Sequence, residues 1–131
     1  MLIGVDMKKD TAILEAAYND CTKVSSHFNL NLLRRMRREL DAGLNLDGFC
    51  HYATYEPKPG RMAIGIQSLY DQTITIGGNR HWFGKGERLH TQHVYKFTVV
   101  EFQDLVRSIG FTPVHAFVDK EELFSVHFLS A

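Results

Sequence analysis

Around Gly43 the apolar residues stop recurring at helical spacing and begin to alternate, and this switch restricts the chain to folds that set helices against a sheet. Before it, Phe28, Leu32, Leu33, Met36 and Leu40 fall on one face of a helix predicted over about 25–42. Arg34, Arg35, Arg37 and Arg38 take the other face, and Gly43 is the expected stop. After it, period-two runs over about 48–55 and 61–70 flank Glu56-Pro57-Lys58-Pro59-Gly60 and predict an antiparallel hairpin. Residues 72–76 and 81–83, on either side of Gly77-Gly78-Asn79, predict a second.

Upstream, Met1-Leu2-Ile3-Gly4-Val5-Asp6 reads as the end of a buried strand that delivers an aspartate into a loop. A domain seldom opens inside an apolar strand, so this start points to something missing before it. Asp10 is placed to cap a helix carrying Ile13, Leu14, Ala17 and Tyr18 on one face and ending near Asn19-Asp20. A third helix over about 99–108 presents Phe102, Leu105 and Val106, with Ile109 just past it and Gly110 as its close. Two last strands, about 112–118 and 123–129, flank an acidic turn. The expected fold is α+β, an antiparallel or mixed sheet covered by about three helices, with no internal repeat or linker.

With 131 residues, 44% of them hydrophobic, the chain can bury one modest core. Fifteen basic residues balance fifteen acidic ones, which leaves no net field to draw nucleic acid or an anionic membrane. No run approaches the roughly 20 apolar residues of a membrane helix. Neither nucleic acid nor membrane is an expected partner. Cys21 and Cys50 form no Cys-x-x-Cys pair, and no leader pattern opens the chain, so a reducing, cytoplasmic setting is expected.

Few local motifs carry chemistry. Of the seven histidines, His90 and His93 are the closest pair, and on a regular strand residues three apart point to opposite faces, so they are not expected to share a metal ion. Gly77-Gly78 and Gly84-x-Gly86 precede strand or loop instead of a helix, which suits tight turns better than a phosphate cradle. There is no Gly-x-Ser-x-Gly elbow, and neither cysteine has a recognisable histidine partner. The arginine run reads as a solvated helix face. One polar-aromatic strand, 89–97, holds Thr91, Gln92, His93 and Tyr95 among apolar residues, and either lines a pocket or forms a sheet edge.

Several segments, taken in order, are similar to the histidine-specific, S-adenosylmethionine-dependent methyltransferases. They are Gly4-Val5-Asp6-Met7-Lys8-Lys9-Asp10, Leu14-Glu15-Ala16-Ala17-Tyr18-Asn19-Asp20, and Phe28-Asn29-Leu30-Asn31-Leu32-Leu33 with Arg38-Glu39-Leu40. The match continues through Asp71-Gln72-Thr73, Gly86-Glu87, His90-Thr91, Tyr95-Lys96-Phe97 and Leu123-Phe124-Ser125-Val126-His127. That family includes the hercynine-forming enzyme of ergothioneine biosynthesis and fungal relatives that methylate prenylated tryptophan.

The resemblance implies a two-part enzyme, in which residues 1–10 end the donor-binding domain and residues 11–131 form the substrate-binding domain. It implies S-adenosylmethionine as cofactor of the complete enzyme, with no tight binding to this chain, because the glycine-rich donor loop would lie upstream. Four positions match the family's acceptor pocket. Tyr18 matches a tyrosine that hydrogen-bonds the substrate α-carboxylate, and Ile64 stands where a methionine packs on the substrate side chain. Gln92 and Val94 stand where a glutamate and a serine surround the imidazole. Both depart from the pattern, since glutamine offers only a neutral acceptor and valine offers none. The implied partners are an amino-acid acceptor and the missing donor-binding half, or self-association through the seam that half would leave exposed. The alternative expectation is a non-enzymatic ligand-binding or interaction module.

Overall fold

The computed structural model of the protein describes residues 1–19 and 22–131. Asp20, expected at the end of the first helix, and Cys21 lie outside the described residues. The elements in chain order are β1 (Leu2–Asp6), α1 (Thr11–Tyr18), α2 (Val24–Glu39), β2 (Phe49–Glu56), β3 (Arg61–Ser68), β4 (Gln72–Ile76), β5 (Asn79–Phe83), β6 (Arg88–Tyr95), α3 (Val99–Ser108), β7 (Thr112–Val118) and β8 (Phe124–Ser130). The fold is α+β. Its strands form three antiparallel sheets, β1-β8-β7, β2-β3-β6 and β4-β5.

Both hairpins read from the alternation are present. β2 and β3 pair from Phe49↔Ser68 to Glu56↔Arg61. β4 and β5 pair from Gln72↔Phe83 to Ile76↔Asn79 around Gly77 and Gly78, whose φ values of 55° and 79° suit a two-residue turn that twists with its strands.

The helices meet the sheets along narrower stripes than their sequences suggest. Asp10 caps α1 by accepting from the Ala12 N–H at 2.8 Å. With only two turns, α1 buries Leu14 against Ala53, Met62 and Ile64 and half-buries Tyr18, while Ile13 and Ala17 face solvent. On α2 the buried stripe is Asn29 and Leu33, with Leu30 and Met36 packed beside Leu33. Phe28, Leu32 and Leu40, expected in that stripe, are exposed, Phe28 to 75%. The helix is rotated so that a polar residue, Asn29, meets the sheet. It also ends earlier than Gly43: Leu40 is its C-cap, and Asp41 turns the chain with φ of 48°. Gly43 instead bridges to Thr75. Arg35 and Arg38 reach Glu39 on the solvated face and hold that carboxyl down at about 2.

Helix α3 starts at a capping box, in which Thr98 and Glu101 satisfy each other's backbone N–H groups. It lays Phe102 and Val106 on one face of the β1-β8-β7 sheet, against Val5 and Leu129. The opposite face is apolar and uncovered. The register there runs Leu2↔Phe128, Asp6↔Phe124 and Val126↔Phe117, and Leu2, Phe117, Phe124 and Phe128 are all exposed.

This sheet meets the end of β6 through the residues that follow β1 and β6. Met7 bridges to Phe97, and the Lys8 N–H donates to the Phe97 carbonyl at 3.2 Å. Among the described residues, no helix is long and apolar enough to cross a membrane.

One departure in β6 reverses an expectation. The register runs Ile64↔Gln92 and then Gly65↔His90, so Thr91 is an extra, bulged residue whose hydroxyl donates to the Ile64 carbonyl at 3.0 Å. Beyond a bulge the two-residue alternation resumes out of phase. His90 and His93 therefore share a face, with ring centroids 3.9 Å apart. Among the described residues no third ligand-type side chain joins them into a cluster. Partial desolvation, with Arg61 and His90 nearby, pushes the exposed His93 imidazole below its ordinary value.

Candidate functional site

The cavity that gathers the sequence-predicted residues is a pocket of about 230 Å³ between the end of α1, the first turns of α2 and the inner face of β2-β3-β6. It is smaller than the roughly 300–1,000 Å³ of drug-sized sites and suits a single small molecule. Tyr18 comes from α1, Ile64 from β3 and Gln92 from β6. Ile64 and Gln92 are direct partners in the ladder, which is why both face inward on the same side of the bulge. Val94 does not line this cavity. It packs against Leu14, Ala53, Met62 and Ile64 under α1, one step further along the strand. β6 is thus both things its sequence allowed, a sheet edge and a pocket wall.

Five further lining residues, Val24, Ser25, Phe28, Asn29 and His51, were not read as pocket residues from the sequence. Asn29 is 7% exposed and forms the floor. Its Nδ2 donates to the Gly65 carbonyl at 2.7 Å and lies 3.0 Å from His51 Nδ1, while His51 Nε2 lies 3.0 Å from the Tyr18 carbonyl. An amide N–H₂ can only donate and a carbonyl can only accept. His51 is therefore the tautomer that accepts at Nδ1 and donates from Nε2. The chain Gly65–Asn29–His51–Tyr18 ties both helices to the sheet beneath the pocket. Asn29 was legible in one respect, since it sits four residues before Leu33 and so shares its helical stripe.

Gly65 has its own reason to be glycine. A side chain there would meet the Leu89 carbonyl at 2.4 Å and the Tyr52 ring at 2.5 Å, and Tyr52 in turn carries the Arg88 guanidinium 4.5 Å above its face.

Behind the pocket lies Lys96, 2% exposed. Its Nζ is 2.6 Å from Asp6 Oδ2 and 2.7 Å from the Tyr18 hydroxyl. Asp6 also receives Lys9 at 2.5 Å. Burial pushes the Asp6 carboxyl up, but the hydrogen bonds and charges of Lys9 and Lys96 outweigh it and hold the group below the ordinary aspartate range. Sequence reading could not find Lys96, because a lysine after an alternating strand looks solvated.

Among the described residues the lining holds no carboxylate or thiol; its polar side chains are Tyr18, Ser25, Asn29, His51 and Gln92. It can hold a small molecule against an apolar wall, with polar contacts from Tyr18 and Gln92, while both ring nitrogens of His51 are taken up within the protein.

A family profile described as histidine-specific, SAM-dependent methyltransferase matches residues 1–131. The chain belongs to that family. Two curated relatives are similar to it. One is the Histidine N-alpha-methyltransferase of Mycolicibacterium smegmatis, 29% identical over 121 residues, covering 91% of this chain and 38% of the relative. The other is the Histidine N-alpha-methyltransferase of Mycobacterium tuberculosis, 32% identical over 99 residues, covering 74% of this chain and 31% of the relative. The chain spans about a third of the length of these relatives.

The methyltransferase family is SAM-dependent, and the residues described here do not build a cradle for that donor. The loop between β1 and α1, the one strand-to-helix connection near the start, contains no glycine. Gly77-Gly78 is a hairpin turn, and Gly84 and Gly86 stand in the loop between β5 and β6. None brings a strand end into a helix N-terminus as a nucleotide site requires.

Proposed function

We propose that this chain supplies the acceptor pocket of a SAM-dependent methyltransferase acting on the α-amino group of histidine or a related amino acid. The observation that carries the reading is the convergence of Tyr18, Ile64 and Gln92, from three different elements, on one cavity of small-molecule size. Membership of the histidine-specific family and the activity named for both relatives support it. In methyl transfer the reactive electrophile belongs to the donor, so the protein's share is to fix the amine and keep water out. A small pocket with one apolar wall and a few polar side chains is suited to that task.

The donor is then held by another portion of the enzyme. The uncovered apolar face of β1-β8-β7 is the proposed seam for it, and this sheet with α3 is the part that belongs on the donor side. The expected division at residue 10 becomes, on this reading, an acceptor unit inserted between β1 and α3. A separate core of Val5, Phe102, Val106 and Leu129 supports the assignment.

The test is transfer of labelled methyl from S-adenosylmethionine to free amino acids by this chain joined to a donor-binding portion of the same family. Transfer to the α-amine of histidine or another amino acid is expected from the joined protein and not from the chain alone. Calorimetry on the chain alone should detect no tight donor binding. A low-micromolar dissociation constant, roughly −8 kcal/mol, would overturn the division of labour. Amino-acid binding without transfer in the joined protein would favour the non-enzymatic module instead.

A further inference from the structure

The buried Asp6–Lys96 pair has no part in the pocket lining, yet it ends on the one phenol that does. A lysine ammonium has three donors and no acceptor, so at 2.7 Å it can only donate to the Tyr18 oxygen. That leaves the Tyr18 proton to be given elsewhere, and among the described residues the hydroxyl has no acceptor of its own. The same ammonium lies 4.7 Å from the centre of the Tyr18 ring, which keeps its charge close to the phenol. Asp6 holds Lys96 in place from the end of β1, and Lys9 shares the same carboxylate. Two cations and one anion leave one positive charge beside the phenol.

We infer that Lys96, anchored by Asp6, is a positioning residue that commits Tyr18 to donate into the cavity and so makes the site select a carboxylate. This rests on the acceptor-pocket reading above, in which Tyr18 meets the acceptor's α-carboxylate, and it adds the buried pair that holds the phenol to that task. Lys96 itself is too deeply buried to touch the ligand. Its effect passes through the phenol, which becomes a donor only and sits in a locally positive field. Because Asp6 lies on β1 and Tyr18 on α1, the same contacts join the proposed donor-side sheet to the carboxylate end of the pocket.

The test is binding of L-histidine, L-tryptophan and L-leucine, each against its own amide, to the 131-residue chain by NMR titration. The amides remove the negative charge and keep the side chain. The unmodified chain should prefer the acid by roughly tenfold, as loss of a charge-assisted hydrogen bond implies. Lys96→Met should bring the acid-to-amide ratio close to one, and Tyr18→Phe should do the same. The double variant should lose no more than either single change, and Lys96→Arg should keep most of the preference. Asp6→Asn, which leaves the lysine but removes its anchor, should lower the ratio as well and gives a second readout if Lys96→Met does not fold. A folded Lys96→Met or Asp6→Asn protein that retains the full preference would overturn the inference while leaving the pocket intact. If the unmodified chain binds none of the six probes, the acceptor-pocket reading falls and takes this inference with it.

Discussion

Gln92 stands directly opposite Ile64 across the β3–β6 ladder, and both line the same cavity. Its amide has no hydrogen-bond partner among the described residues and is exposed. A glutamate at this position would accept from an imidazole N–H with charge assistance, a contact worth roughly 1.5–3 kcal/mol.

Gln92→Glu in the joined enzyme is therefore expected to raise the preference for histidine over leucine by about tenfold or more. Val94→Ser alone should do less, because Val94 packs into the cluster of Leu14, Ala53, Met62 and Ile64. Kinetics with histidine, tryptophan, tyrosine and leucine will check this. If the unmodified pocket already methylates histidine as well as a variant carrying both Gln92→Glu and Val94→Ser, Gln92 and Val94 are neutral substitutions.

Much of this was legible because alternation and helical spacing are local signals. Phe49–Ser68 declared its hairpin, and Gly77-Gly78 its turn. What stayed hidden were contacts made by distant chain segments. Thr91 carries no mark of being the bulged residue, yet it decides that Gln92 faces the cavity and that His90 and His93 meet on the other side. Lys96 is buried only because Asp6, ninety residues away, is brought beside it. Phe28 was read as core because its spacing is right, but a rotation of the helix by about one residue, roughly 100°, gave the sheet to Asn29 instead.

Asn29→Ala should destabilise the fold by about 1–3 kcal/mol, because it strands the buried Gly65 carbonyl and removes the donor to His51. Urea denaturation measures this. Asn29→Ala and His51→Ala should also be non-additive by more than about 0.5 kcal/mol, as members of one network are. Strict additivity would mean that the two side chains do not act together.

The uncovered face of β1-β8-β7 is expected to make the chain alone self-associate, since contiguous apolar surface of more than a few hundred Å² is unusual on a stable monomer. Light scattering should show species larger than a monomer, and Phe117→Ser with Phe128→Ser should shift them toward monomer. A clean monomer at high concentration before any substitution would remove the seam.

His127 gives the sharpest expected dependence on pH. It is fully buried on β8 against the Phe102 ring, with 0% of its surface exposed. Its Nε2 lies 3.0 Å from the Ser125 hydroxyl, which donates onward to the Val5 carbonyl at 3.3 Å, so Nε2 carries the proton and Nδ1 is left without a partner. A second proton would place an N–H and a charge where there is no acceptor. Burial accordingly pushes the imidazole below its ordinary value of 6.5. The unfolded chain then binds this proton more readily than the folded one. The stabilisation is complete above the unfolded value and is lost as pH falls below it toward the folded value, with a slope of at most about 1.4 kcal/mol per pH unit for one proton. His93, lowered in the same direction but exposed, adds little. Urea midpoints measured from pH 7.5 down to pH 5 should therefore fall, and His127→Gln should flatten that fall although it costs stability at neutral pH. An unchanged slope in His127→Gln would show that other groups govern acid unfolding.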